Sequence, residues 1–252
     1  AQSNPDIKIV EGNALGYEFL QFNTKKAPFD NVKVRQAVAY ALDKDAMLQG
    51  INDGIGTKLD TVVLEDAIGY TDKITKYDYN LEKAKALLAE AGYPDGFKTT
   101  IYVREDYTKK IASIVQSQWK EIGVDAEIQV MERAALLSDI KAGKLGCYTV
   151  GNVSMTLDST FLLGTLSTDN IPDSNMTFYS NPEYDRIVEE QANTDDGAKR
   201  LELITEALKI EAEDVPRINL FYMVSNIAYN KNLNCTVCPA MESYDWSGFS
   251  WN

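Results

Sequence analysis

The stretch Lys98–Val130, KTTIYVREDYTKKIASIVQSQWKEIGVDAEIQV, constrains the fold more than any other part of the chain. TTIYV is rich in β-branched and aromatic residues and reads as a strand. Ile111, Ile114, Val115, Trp119 and Ile122 then recur at helical spacing. Val124, Ala126, Ile128 and Val130 alternate with Asp125, Glu127 and Gln129, which is the period of a half-buried strand. A strand, an amphipathic helix and a second strand in this order predict a β-α-β unit. Its strands should be parallel and joined by a right-handed crossover. Trp119 falls on the apolar helix face and is expected in the core.

The flanking sequence extends this α/β reading. YEFLQFN (Tyr17–Asn23) reads as a strand. It leads into VKVRQAVAYALDKDAML, where Val34, Ala37, Val38, Ala41 and Leu42 make one helical face behind an N-cap at Asp30 or Asn31. Gln49–Tyr79 is irregular. Asn80 caps a helix through Leu81, Ala84, Leu87, Leu88 and Ala91, which Gly92 stops before Pro94. A short helix at RAALLSDIKAG and a strand at KLGCYTV follow. Asn181 and Pro182 open a further helix. GAKRLELITEALKIEAED makes another, with Leu201, Ile204, Leu208 and Ile210 apolar. RINLFYMVSNIAYN is expected to end the ordered pattern as one or two strands.

Composition narrows the chemistry. The chain has 252 residues, 44% of them hydrophobic, enough for a substantial core. Its net charge of −13 argues against nucleic acid and anionic membrane surfaces as partners. It contains no histidine, which removes Ser-His-Asp triads, Cys-His pairs and HExxH zinc helices. Chemistry built on carboxylates alone stays open. Cys235 and Cys238 in NCTVCP have CxxC spacing. With Pro239 behind them they are expected in a loop, as a local disulfide or two plain thiols, and no metal or other cofactor is expected. The opening AQSNPDIKIV has no initiator Met and reads as cut from something longer or matured.

One segment stands apart. GNVSMTLDSTF (Gly151–Phe161) follows a predicted strand and has a single charge, Asp158. Open α/β sheets bind ligands beyond the C-terminal ends of their strands. Asn152, Ser154, Met155, Thr156 and Asp158 are therefore the candidate ligand-binding residues. Asn152, Ser154 and Thr156 offer neutral donors and acceptors, and Met155 an adaptable apolar contact. Asp158 has a second reading as the cap of the helix that begins STFLLG.

Three segments carry a family resemblance. PFDNVKVRQAVAYALDKDAML (Pro28–Leu48), YDYNLEKAKALLAEAGYPDGF (Tyr77–Phe97) and FYSNPEYDRIVEEQ (Phe178–Gln191) occur in the order of the family 5 solute-binding proteins that serve peptide, dipeptide and nickel ABC importers. The chain resembles the C-terminal half of such a receptor. The resemblance implies a periplasmic-binding-protein type II-like lobe, a mixed sheet flanked by helices, with no enzymatic activity. It implies residues 1–23 as a strand and hinge segment and 24–220 as the ligand-binding lobe. Residues 221–252 would be returning strands and an aromatic tail (Tyr244, Trp246, Phe249, Trp251) that meets the N-terminal lobe. The implied partners are a small peptide or other small organic ligand, an ABC permease and that N-terminal lobe. The implied location is periplasmic or extracellular, with lipid anchoring at the cell surface. Peptide-binding relatives carry a Trp in the segment after the strand and, three residues on, an Asp that pairs with the peptide ammonium. An ungapped match puts Gly151 and Ser154 there, so the amine-recognising acid is missing. A neutral, sugar-like ligand is the alternative cargo, and a carboxylate-dependent glycosidase the alternative class.

Overall fold

A computed structural model describes residues 4–63, 65, 67–104, 107–153, 158–195, 197–238 and 243–251, with Tyr107, Asn152, Val153, Ser243, Tyr244 and Trp246 described in their backbone only. Its centre is the predicted unit. β2 (Lys98–Val103) and β3 (Asp125–Val130) pair in parallel, in register from Lys98 opposite Asp125 to Val103 opposite Val130, and α4 (Tyr107–Lys120) joins them. β4 (Cys147–Val153) adds in parallel on the other side of β2, after α5 (Arg133–Lys141). β1 (Ile7–Phe22) runs antiparallel to β4 and to β5 (Arg217–Asn230), which gives the mixed order β3-β2-β4-β1-β5. The outer parts of β1 and β5 pair only with each other, from Ile7 opposite Asn230 to Asn13 opposite Val224.

Strand alternation divides the core between two faces. Leu20, Phe22, Ile101, Val103 and Cys147 point to one side. They meet α1 (Val32–Tyr40), α2 (Lys44–Asn52), α3 (Leu81–Glu90) and α4 there. Tyr17 and Phe19 point to the other side, toward α6 (Ser159–Gly164), α7 (Pro182–Ala192) and α8 (Ala198–Asp214). Tyr148 packs with Leu136 and Ile140 of α5 on that second side. Trp119 is fully buried, as its place on the α4 face predicts. The caps at Asn31, Asn80 and Asn181 are made by side chains that accept backbone N–H bonds.

Four expectations are corrected. The long helix from Val34 is two helices. α1 ends at Tyr40, and the Asp43 carboxylate accepts the Ala46 N–H to start α2. On α8 the buried face is Arg200, Leu203, Ile204, Ala207, Leu208 and Glu211, while Leu201 is exposed. Order continues past β5, because β6 (Leu233–Cys238) and β7 (Ser243–Trp251) form an antiparallel hairpin. Cys235 and Cys238 therefore lie on a strand. Three residues along a strand span about 10 Å and turn the side chains to opposite faces, too far for a disulfide, and both thiols are free. Cys147 is also free, and burial pushes its thiol well above the usual range.

The two parallel strands are set by a glycine contact. Gly96 (φ +81°) precedes β2 and Gly123 (φ +84°) precedes β3, and a Cβ at Gly96 would fall 2.0 Å from the Gly123 carbonyl oxygen. Gly96→Ala is expected to cost about 2–4 kcal/mol, from left-handed backbone and forced displacement of the facing chain. Gly92 (φ +91°) has nothing within 4 Å of a built Cβ. Gly92→Ala should therefore cost only the conformational part, about 1–2 kcal/mol. Equal costs in urea unfolding would show that the Gly96–Gly123 approach does not matter.

Candidate functional site

A cleft of about 370 Å³ opens on the second face of the sheet, between α5 and α6. Its floor is Phe19 and Gln21 of β1, Val150 and Gly151 of β4, and Arg217 at the start of β5. Arg133, Leu136 and Leu137 of α5 form one wall, and Phe161 and Thr165 of α6 the other. Arg104, just past the C-terminal end of β2, and the 173–176 segment complete it. The strand ends and the volume match a small-ligand site of an open α/β sheet.

Arg217 is the most constrained of these residues. It is 5% exposed, and its Nε donates to Glu211 Oε1 at 2.9 Å. Its Nη1 donates to Thr165 Oγ1 at 2.9 Å, and the guanidinium lies 4.7 Å from the centre of the Phe19 ring. Burial works against the charge, but the Glu211 carboxylate outweighs it and holds the pKa above the ordinary arginine value. Nη2 is buried and meets no protein partner. The sequence reading missed this residue, although an arginine opening the apolar run INLF was a visible signal.

The predicted site residues are placed unevenly. Gly151 lines the cleft. Ser154, Met155 and Thr156 lie outside the described residues, and Asn152 is described in its backbone only, paired opposite Tyr17. Asp158 is a structural residue. It accepts the Thr160 N–H at 2.8 Å as the cap of α6 and takes Arg200 Nη2 on both oxygens at 2.9 and 2.7 Å. Partial burial acts to raise the Asp158 carboxyl, but the Arg200 and Thr160 hydrogen bonds outweigh it and hold it below the usual value. The pair is thus stabilising above the unfolded pKa of about 3.9 and is lost as pH falls through the lower folded value. The carboxylate is 40% exposed, so Asp158→Asn, which keeps the cap, should cost below about 1 kcal/mol at neutral pH. The gap in melting temperature between the two proteins should close below pH ~3.9. A gap that persists in acid would exclude the ion pair as its cause.

Gly151 has a steric reason. A Cβ there would lie 2.4 Å from Met223 Cε and 2.9 Å from Glu18 Oε1. The space that a tryptophan would need is filled by side chains from β5 and β1. Glu18 alternates with Phe19 and Gln21, so its carboxylate approaches Gly151 from the face opposite the cleft. Among the described residues, no group of three or more His, Cys, Asp or Glu could hold a metal ion.

The family model for bacterial extracellular solute-binding proteins, family 5 (middle), matches residues 1–174. The chain belongs to the family 5 bacterial extracellular solute-binding proteins. It is 34% identical over 233 residues to heme-binding protein A of Haemophilus influenzae, covering 88% of this chain and 42% of that protein. It is 29% identical over 225 residues to the dipeptide-binding protein of Escherichia coli, covering 86% of this chain and 42% of that one. The structure of HbpA2 from Haemophilus parasuis superposes with a TM-score of 0.88 at 30% identity, over all of this chain and 51% of that one. The chain thus spans about half the length, or less, of these relatives. The type II binding-protein lobe expected from the sequence is the observed fold.

Proposed function

We propose that this chain is the C-terminal, ligand-gripping lobe of an ABC importer's solute receptor, which captures a peptide or related small organic solute in the α5–α6 cleft. The observation that carries this is the cleft itself, floored by β1, β4 and β5 and reached by Arg104 at the C-terminal end of β2, in a family 5 lobe. The names of the relatives, dipeptide-binding and heme-binding, support a small organic cargo. In this reading Asn152, Ser154, Met155 and Thr156 are its neutral contacts. In this layout residues 1–23 are the hinge strand, 24–220 the lobe, and 221–252 the part that meets a second lobe and carries the signal toward a permease. The paired outer strands of β1 and β5 and the β6–β7 hairpin, with Trp251 71% exposed, suit that role. Function outside the cytoplasm, periplasmic or extracellular and tethered by lipid, completes the reading. A glycosidase needs two carboxylates facing across a cleft; among the described lining residues the cleft has one, Asp173.

Mass spectrometry of solute carried by a protein with both lobes tests the cargo. Calorimetry tests the division of labour. If a two-lobed receptor binds with micromolar affinity, about −8 kcal/mol, this chain alone should bind the same solute near millimolar, about −4 kcal/mol. Submicromolar binding by this chain would place the whole site within it. Ser154→Asp should shift preference toward ligands with a free amine over their acetylated forms, and an unchanged preference would remove Ser154 from the amine position.

A further inference from the structure

Arg217 lines a second cavity as well as the cleft. This one is small, about 30 Å³, and lies between β5, α8 and the 74–77 segment. Glu211 and Asn219 line it too. Arg217 and Asn219 are two residues apart on β5 and project to the same face, and Glu211 meets Arg217 from α8. The three residues are 3%, 5% and 7% exposed, in the order Glu211, Arg217, Asn219. Each keeps one buried polar atom without a hydrogen-bond partner among the described residues: Glu211 Oε2, Arg217 Nη2 and Asn219 Oδ1. Turning the Asn219 amide over does not help, because its Nδ2 donates to the Asp60 carbonyl at 3.5 Å and the flip would set two oxygens against each other. Elsewhere on the wall Lys44 donates to Asp60, Thr75 to Glu213 and Tyr77 to the Ala212 carbonyl. Buried polar atoms are rarely left unmet, so three in one cavity call for a common partner.

We propose that this cavity is an internal hydration site, in which one ordered water bridges Glu211, Arg217 and Asn219 and completes the buried ion pair. The three atoms define the partner by its chemistry. Glu211 Oε2 and Asn219 Oδ1 can only accept, and Arg217 Nη2 can only donate. A water molecule donates twice and accepts from the guanidinium, which meets all three. A metal ion or ammonium cannot accept the Arg217 N–H. Chloride cannot donate to Glu211 and would be repelled by it. The volume has room for about one or two waters and for no larger solute. A buried ion pair is tolerable when its remaining lone pairs and protons are also satisfied, and the water supplies that condition. It also ties Arg217 to the next residue on its face of β5, so that this part of the cleft floor is held through solvent as well as through Glu211 and Thr165. The inference is independent of which solute the cleft takes.

A crystal structure of a protein that carries both lobes, at a resolution that shows ordered solvent, tests the site directly. One peak should lie about 2.7–3.2 Å from Glu211 Oε2, Arg217 Nη2 and Asn219 Oδ1. Side chains repacked so that these atoms meet protein groups, with no peak between them, would overturn the proposal. Crystals soaked in rubidium bromide separate water from ions. No anomalous signal is expected in the cavity, and a bromide or rubidium peak there would replace the water by an ion. Oxygen-17 magnetic relaxation dispersion reads the same site in solution. The double variant Glu211→Leu with Arg217→Met removes two of the three partners, and its signal should fall by about one long-lived water relative to wild type. An unchanged signal would show that no water is held between these side chains.

Discussion

Trp119→Ala is expected to take the protein to the edge of unfolding. The indole is fully buried between α4 and α1. It lies against Phe29, which stacks on Phe22 and meets Phe97 edge-on, with centroids 6.3, 4.7 and 5.9 Å apart. Truncating such a side chain costs about 3–5 kcal/mol through lost transfer energy and the cavity left behind. The indole also has a polar task. The Leu42 N–H, which would bond the Val38 carbonyl in a longer helix, turns to Ala39 at 3.2 Å instead. Trp119 Nε1 donates to the Val38 carbonyl at 3.1 Å. An unmet buried carbonyl adds about 1 kcal/mol or more. Against a usual stability of about 5–15 kcal/mol, that sum is decisive. Trp119→Phe keeps most of the volume and loses only the hydrogen bond, so it should retain a cooperative transition. Urea unfolding followed by far-UV circular dichroism compares them. A loss below about 2 kcal/mol for the alanine variant would mean that the site collapses without a cavity.

This region was readable in advance because the information is local. The 3.6-residue period of α4 and the two-residue period of β3 lie within one stretch, and each admits one buried face. Caps at Asn31, Asn80 and Asn181 were legible for the same reason. The break between α1 and α2 was missed because Ala41 and Leu42 stay apolar and buried through the turn. Their spacing continues the helical pattern while Asp43 starts a new helix. On α8, counting apolar residues hid the true face. Arg200 and Glu211 are buried there because their charges meet Asp158 and Arg217.

The cleft was much less legible. It joins Phe19 of β1, Arg133 of α5, Phe161 of α6 and Arg217 of β5, positions that no periodicity connects. What the sequence did mark was the charge-poor stretch after a strand, of which Gly151 and Phe161 line the cleft. It also marked Gly151 as unusual, without the cause. The cause lies in Met223 and Glu18, which reach Gly151 from strands distant in sequence. The cysteine pair misled for a related reason. CxxC beside Pro239 looks like a turn, but the spacing says nothing of the partner strand β7 that pairs with these residues.

Glu211→Ala should be nearly as damaging as loss of the tryptophan, by a different route. The Glu211 and Arg217 side chains are 4% and 3% exposed, so the pair is desolvated as completely as the core. Removing the carboxylate leaves a guanidinium buried against Phe19 with Thr165 as its remaining partner, which costs about 3–5 kcal/mol. Removing both charges is a different case. Glu211→Leu with Arg217→Met replaces the pair by apolar volume, and such exchanges are neutral or stabilising by about 1–4 kcal/mol. The double variant should therefore unfold near or above the wild-type midpoint, while the Glu211→Ala single variant unfolds well below it. Additive losses in the double variant would show that the pair stabilises the fold in its own right. If the double variant is stable, the desolvated charge at the cleft floor is not required by folding, and its retention fits a role in holding the solute.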